Sequence, residues 1–382
     1  MKINITSPSF DEQELLLLKQ CLDSKWVTQG AFTQQFESLF KQRHDVQYAF
    51  ATTSCTAALH MAMVALDIKP DDEVIVPAFT WVTSAHCVEY VGAKVVFVDI
   101  EPDTFNIDPA ALEAAITPKT KAIVVVHLFG LAAKMQEIIE IARKHNLVIV
   151  EDAACATGTT YNGKPVGAIG DIGCFSFHPR KVITTGEGGM VTTNNLKLAE
   201  RIKILRNHGA TANPNIDTSK PYYMGNFDHL GFNLRFSDIQ AAIGVAQMAK
   251  LDGLLAGRLA CAKQYDLLLK SVSEIATPKS PSLCGHSYQS YVIRLSEGGI
   301  DRRNLLMEAL ANEGIQTRPG THAVHRLGYY KNKYGIEPNA YPQASKSEDL
   351  SITLPIFPDM TEADQHKVVN ILKTALSCSE NK

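Results

Sequence analysis

Short apolar, β-branched runs alternate with helical stretches through the first half of the chain. VQYAFATTS reads as a strand and TAALHMAMVAL after it as a helix. DEVIVPAFT is a strand, VTSAHCVEYVG a helix, and AKVVFVDI a strand again. Pro109 to Ile116 gives a short helix, KAIVVVHLFG a strand, and KMQEIIEIARKHN an amphipathic helix. LVIVEDAA, DIGCFSF and GGMVTTN complete the run of strands. Continuous apolar strands separated by helices predict a mostly parallel sheet covered on both faces. Ligands of such sheets sit outside the carboxyl ends of the strands. This places Thr53–Thr56, Pro77–Trp81, His127–Gly130, Asp152–Cys155 and Ser176–Lys181 along one rim.

Two helices broken at SKWVTQGAF precede this rhythm, over residues 10–43. After Asn194 the pattern changes. Leu196–His208 is helical, residues 210–235 are irregular, and Ser237–Leu269 reads as one or two long helices. YVIRL then reads as a strand, Arg302–Glu313 as a helix and Glu362–Ser377 as a last helix. The expected division is a large domain over 1–250 and a smaller α+β domain over 251–382. The irregular stretch is either a surface loop or one that closes on a ligand or a partner subunit.

Composition narrows the function classes. With 37 Lys+Arg against 40 Asp+Glu the net charge is −3, and no basic stripe marks a nucleic-acid surface. No apolar run approaches the roughly 18 residues of a membrane span. The opening MKINITSPSFDEQE lacks the apolar core of a signal peptide, so a cytoplasmic address is expected. The eight cysteines are scattered without a CxxC pair and read as free thiols.

Three segments carry candidate chemistry. Lys181 follows an apolar strand and precedes ITTGEGG, where glycines let backbone approach a ligand. A lysine in a partly desolvated pocket becomes a nucleophile towards carbonyls; otherwise it is a surface charge. Asp152, in VIVEDAACATG, is either a helix cap or an anion that keeps a pyridine nitrogen protonated. Thr53, Ser54 and Thr56 lie where a strand turns into a helix, which suits either an ordinary cap or a phosphate. Lysine, aspartate and helix N-terminus together describe a site for pyridoxal phosphate (PLP).

The chain resembles the DegT/DnrJ/EryC1/StrS aminotransferases, PLP-dependent sugar aminotransferases of fold type I. The resemblance runs through SKWVTQGAFTQQFE, DEVIVPAFTWV, VEDAACATGTTYNGKPVGAIGDIGCFSFHPRKVITTGEGGMV, GFNLRFSDIQAAIGVAQ and LPIFPDMT. It implies a mostly parallel seven-stranded sheet between helices plus a smaller C-terminal α+β domain. It implies Lys181 as the residue bonded to the cofactor aldehyde and Asp152 as the partner of the ring nitrogen. Ser176, Thr56 and the backbone of Cys55 are implied at the phosphate, and Trp81 against the ring. Asn233 is implied to reach the phosphate of a neighbouring subunit, which makes the enzyme a homodimer with shared sites. Many relatives carry His or Gln where Cys155 stands, and many carry Gly at Cys55. No role is therefore given to Cys155 beyond packing.

The implied reaction moves an amino group from an amino acid, L-glutamate, to a keto-sugar for cell-surface polysaccharide or lipopolysaccharide. A nucleotide-linked keto-hexose is the first expectation, and an oxidised eight-carbon sugar acid, 8-oxo-3-deoxy-octulosonate, the alternative. Arg318, His322, His325 and Arg326 lie in TRPGTHAVHRLGYYKNKYG, the segment implied to line the acceptor pocket, or else form a solvated basic loop. Sugar dehydratases of the same fold replace the lysine with histidine, and here Lys181 is present. A regulator that binds PLP without turnover is the other rival.

Overall fold

The computed structural model describes residues 2–211 and 223–379. The helices are α1 (Glu12–Asp23), α2 (Ala31–His44), α3 (Cys55–Ala65), α4 (Thr83–Glu89), α5 (Pro109–Ala114) and α6 (Met135–His145). They continue as α7 (Leu196–Arg206), α8 (Asp238–Leu269), α9 (Gly299–Asn312), α10 (Gly328–Tyr334), α11 (Pro342–Leu350) and α12 (Glu362–Ser379). The seven strands of the alternating pattern form one sheet: β1 (Tyr48–Thr52), β2 (Glu73–Pro77), β3 (Lys94–Val98), β4 (Thr120–Val126), β5 (Val148–Asp152), β6 (Ile172–Ser176) and β7 (Gly189–Thr193). Their order is β1-β7-β6-β5-β4-β2-β3. All pairings from β6 to β3 are parallel. Only β7 runs against its neighbours β1 and β6. The sheet is thus mostly parallel, as the pattern predicts, and its strands are buried almost throughout because helices cover both faces.

The two-residue alternation along each strand decides which side chains meet the site. On β6, Cys174 packs into the same core as Val124, Val150 and α3. Phe175, with Phe177 just beyond the strand, turns to the other face and meets Phe36 and Phe40 of α2 edge-on, at ring separations of 4.9–5.6 Å. On β5, Val150 shares the α3 side and Ile149 the α6 side. Asp152 and Glu151 inherit these opposite directions.

Helix ends are written locally. Asp11 and Glu14 form a capping box at α1, and Asn146 closes α6 with a left-handed backbone after a basic last turn. The Asp238 carboxylate at the start of α8 accepts from the N–H groups of Gly30, Phe32 and Thr33, tying α8 to the start of α2. Residues Ser237–Leu269, read as one or two helices, give a single helix preceded by its Ser237 cap.

A second unit contains the antiparallel sheet β8 (Ile275–Ala276), β9 (Tyr291–Leu295) and β10 (Ser351–Leu354), in the order given, packed against α9 and α12. The boundary expected between 250 and 251 falls inside α8, which runs unbroken and supplies Cys261, Ala262, Tyr265 and Leu269 to the second core. Ile3 also packs there, through a parallel bridge to Ile315. Arg258 of α8 is buried and donates to the carbonyls of Tyr288, Gln289 and Ile356, which fixes the helix against this unit. His322–Ala323 pairs with Phe79–Thr80, so the second unit touches the rim of the large sheet directly.

Of the irregular 210–235 stretch, residues 212–222 lie outside the described residues. Its flanks form a short pair between Ala210–Thr211 and Asn226–Phe227. Seven cysteines are free thiols, and the side chain of Cys378 lies outside the described residues. No described helix is long and apolar enough to cross a membrane.

Candidate active site

A cavity of about 410 Å³ opens at the carboxyl ends of the parallel strands, where the second unit closes over the rim. Ser54, Cys55 and Thr56 enter it from the start of α3, Asp152 from the end of β5, and Ser176 from the end of β6. Lys181 reaches it from a turn five residues past β6. The Lys181 N–H donates to the His178 carbonyl at 2.8 Å, and the Thr184 hydroxyl and the Thr185 N–H both bond the Phe177 carbonyl. The lysine is therefore held at a strand end in a bonded turn. Its Nζ lies 3.1 Å from Cys155 Sγ.

Asp152 is 4% exposed. The Ser84 hydroxyl donates to its Oδ2 at 2.7 Å, and the Ala154 N–H to its Oδ1 at 3.2 Å. Burial pushes the carboxyl above its ordinary value, while the Ser84 and Ala154 bonds pull the other way. Such a carboxylate is short of a cation, and a protonated ring nitrogen supplies one. The Cys55 thiol sits 4.0 Å from Oδ1, and burial keeps it protonated by raising it well above the ordinary range. Ser84 of α4 was not singled out in the sequence. Its only trace there is its place three residues past Trp81, in the helix that follows the rim segment Pro77–Trp81.

The start of α3 is arranged for an anion. The Ser54 hydroxyl accepts from Ala57 N–H at 3.1 Å, and the Ser54 carbonyl accepts from Ala58 N–H at 3.0 Å. The first-turn N–H groups of Cys55 and Thr56 remain for a ligand. Gly189, at the start of β7, lies against this turn. A Cβ there would fall 2.5 Å from the Ser54 carbonyl carbon and 2.7 Å from the Cys55 nitrogen.

Other expected residues take distinct places. Trp81 stands on the lip of the cavity, 51% exposed, and tilts towards His322 with ring centres 5.7 Å apart. Arg318 lines the cavity. Asn233 is exposed and lies away from the cavity of its own chain, its backbone bridged to Asn207. His322 is not brought to the cavity wall and faces Glu348 at 3.7 Å. His325 is placed elsewhere: its 3₁₀ turn is buried, and its Nε2 bonds the Pro338 carbonyl at 3.0 Å. Arg326 is engaged with Glu348 and Asp349, so this part of the basic loop is a salt-bridged support.

Behind the site, Glu151 accepts from the N–H groups of Gly167, Ile169 and Gly170. The Ala133 N–H donates to His127 Nδ1, which leaves the Nε2–H of His127 to donate to Glu151 at 2.9 Å. This buried network pins the loop after β5 and was not read from the sequence.

The DegT/DnrJ/EryC1/StrS aminotransferase family matches residues 8–373. The chain belongs to this family. It is 40% identical over 377 residues to GDP-perosamine synthase of Caulobacter vibrioides, covering 98% of each chain. It is 34% identical to the spore coat polysaccharide biosynthesis protein SpsC of Bacillus subtilis, over 96% of this chain and 95% of that one. A Streptococcus pneumoniae protein solved in PMP and PLP forms superposes with TM-scores of 0.93 and 0.92 at 30% identity, covering at least 97% of each chain. Helicobacter pylori PseC, an aminotransferase of pseudoaminic acid biosynthesis, gives 0.92 at 26%, covering 99% of this chain and all of that one. The fold is that of the PLP-dependent aminotransferases, and the cofactor of this aminotransferase is PLP.

The residues present fit that group. A lysine amine, a buried carboxylate short of a cation, and a helix start with free N–H groups against a glycine line one cavity. Lys181, Asp152, Ser176, Thr56 and the Cys55 backbone would hold it.

Proposed function

We propose that this aminotransferase takes its amino group from L-glutamate and delivers it to a nucleotide-linked keto-hexose used for cell-surface polysaccharide or lipopolysaccharide. The convergence of Lys181, Asp152 and the start of α3 in one cavity carries the transamination reading. The relatives named GDP-perosamine synthase and SpsC support a sugar acceptor. PLP, once bound, supplies the electron sink that makes a Cα proton removable. Asp152 holds the positive charge on the ring nitrogen. Lys181 Nζ takes the proton from the donor Cα and, in the second half-reaction, delivers one to the acceptor carbon. Ser176 and the first turn of α3 anchor the phosphate, and Trp81 covers the ring.

The enzyme works as a homodimer, in this reading, with Asn233 reaching the phosphate of the partner's site. The exposure of Asn233 outside its own cavity supports that assignment. Arg318, in the cavity wall without a carboxylate partner among the described residues, also suits the carboxylate of an oxidised eight-carbon sugar acid as acceptor.

The test is the visible spectrum of the purified PLP-loaded protein. L-Glutamate should bleach the lysine–cofactor band to the pyridoxamine form, and a keto-sugar should restore it. A band that ignores glutamate and other amino acids would sink the transamination reading.

A further inference from the structure

The cavity around Lys181 does not end at its lip. A second, more open groove of about 850 Å³ adjoins it and runs along α9 past Lys2, Met307 and Gln316. Ile5, Trp81, Arg180 and Arg318 line both spaces. The two arginines therefore stand at the junction, one from the turn that carries Lys181 and the other from the second unit.

Neither guanidinium has a carboxylate within ion-pair distance among the described residues. Among the described residues Arg318 donates only to main-chain carbonyls, from Nε to Pro319 at 3.2 Å and from Nη2 to Gly320 at 3.5 Å. These bonds orient its fork without neutralising it. Arg180 is fixed through its backbone, whose N–H donates to His178 and whose carbonyl accepts from Gln289. Burial first, and then the charge of Arg180, push the Arg318 guanidinium down from its ordinary value, so the two charges feel one another. The acids lining the two spaces are Asp152 and Glu187 on the inner cavity and Glu308 on the outer groove, none of them in an ion pair with either arginine. Two like charges held together without a counter-ion are unfavourable, and an anion between them relieves the repulsion.

We infer that Arg180 and Arg318 form a two-guanidinium clamp for an anionic group of the acceptor, seated between the reacting end at Lys181 and the outer groove. Paired planar forks match either a diphosphate or a carboxylate, the chemistry shared by a nucleotide-linked sugar and a sugar acid. The exposed face of Trp81 beside them offers a flat surface for the sugar ring between clamp and lysine. The clamp rests on the transamination reading but is tested apart from it.

The experiment is calorimetric titration of the pyridoxamine-loaded enzyme with three probes: inorganic pyrophosphate, GDP and 3-deoxy-octulosonate. The wild type and the variants R180Q, R318Q and R318K are compared, and the single-turnover rate with L-glutamate is measured alongside. Binding of at least one probe, weakened about tenfold or more by each Gln substitution and less by R318K, is expected. Each Gln substitution should weaken that binding at least ten times more than it slows the glutamate step. Binding of pyrophosphate and GDP alone supports the clamp with a diphosphate source, and binding of the octulosonate alone supports it with a carboxylate source. Absence of binding by all three probes, or binding indifferent to both Gln variants, overturns the clamp. Loss of the glutamate step in proportion to probe binding also overturns it, because the pair would then hold the donor. A wild type inert to every amino acid refutes transamination while the titrations still decide the clamp.

Discussion

Gly189→Ala probes the phosphate cradle with one methyl group. Gly189 sits between Thr52 of β1 and Ser176 of β6, paired to both, so its backbone cannot turn the new group away. The added Cβ would stand 2.5, 2.6 and 2.7 Å from the Ser54 carbonyl carbon and oxygen and the Cys55 nitrogen, where ordinary contact begins at 3.4 Å. All three are backbone atoms, so no side chain can yield. The first turn of α3 must retreat by about 0.9 Å, which stretches phosphate hydrogen bonds past their useful range. Overpacking of this kind costs about 1–3 kcal/mol. Expressed in cofactor binding, that is a loss of about 5–150-fold. The folded apoprotein should suffer less, because alanine also restricts the unfolded chain and returns about 0.4–1 kcal/mol. The assay is an equilibrium titration of apoprotein with PLP, with thermal melts in the absence and presence of the cofactor. Gly253→Ala on α8, where a Cβ meets nothing within 4 Å, is the control. It should leave the Kd for PLP unchanged and stabilise the protein by about 0.5–1 kcal/mol. A Gly189→Ala protein with the wild-type Kd would refute the placement of the cradle.

Lys181→Ala should lose the visible lysine–cofactor band and lower turnover about 10²–10⁴-fold, and normal turnover would remove Lys181 from the chemistry. Asp152→Asn keeps the shape that receives the Ser84 hydroxyl but not the charge. It should bind PLP and slow the glutamate single-turnover step about 10²–10³-fold, and an unchanged rate would dismiss the carboxylate's role. Acid should destabilise the fold through His44, which is fully buried and held to a pKa of about 4 by burial. Between pH 6.5 and 4 the unfolded chain takes up a proton that the folded one refuses, so stability falls with pH, by about 3 kcal/mol at the lower end. Urea unfolding of the wild type and His44→Phe at pH 7 and pH 5 checks this. Equal pH slopes would show that His44 is not the group involved.

Much of the site follows from local rules of the chain. Apolar runs that mostly alternate with helices define a mostly parallel sheet, and the polar residues closing its parallel strands had to meet at its carboxyl edge. Period-two alternation then sends Asp152 to the cavity and Glu151 behind it. The motif around Lys181, being contiguous, was legible without a structure.

Groups that arrive from distant segments were not. Ser84 approaches Asp152 across 68 positions, and Ile5 and Thr6 reach the cavity because Ile3 pairs with Ile315. No periodicity encodes either meeting. The basic segment from Arg318 to Arg326 shows the limit most clearly. In sequence its cations are equivalent. In the fold Arg326 is neutralised by Glu348 and Asp349, His325 is enclosed, and Arg318 is left beside Arg180 without an acidic partner among the described residues. Charge type is written in the chain, but whether a charge is satisfied depends on which distant carboxylate comes within reach, and only tertiary packing decides that.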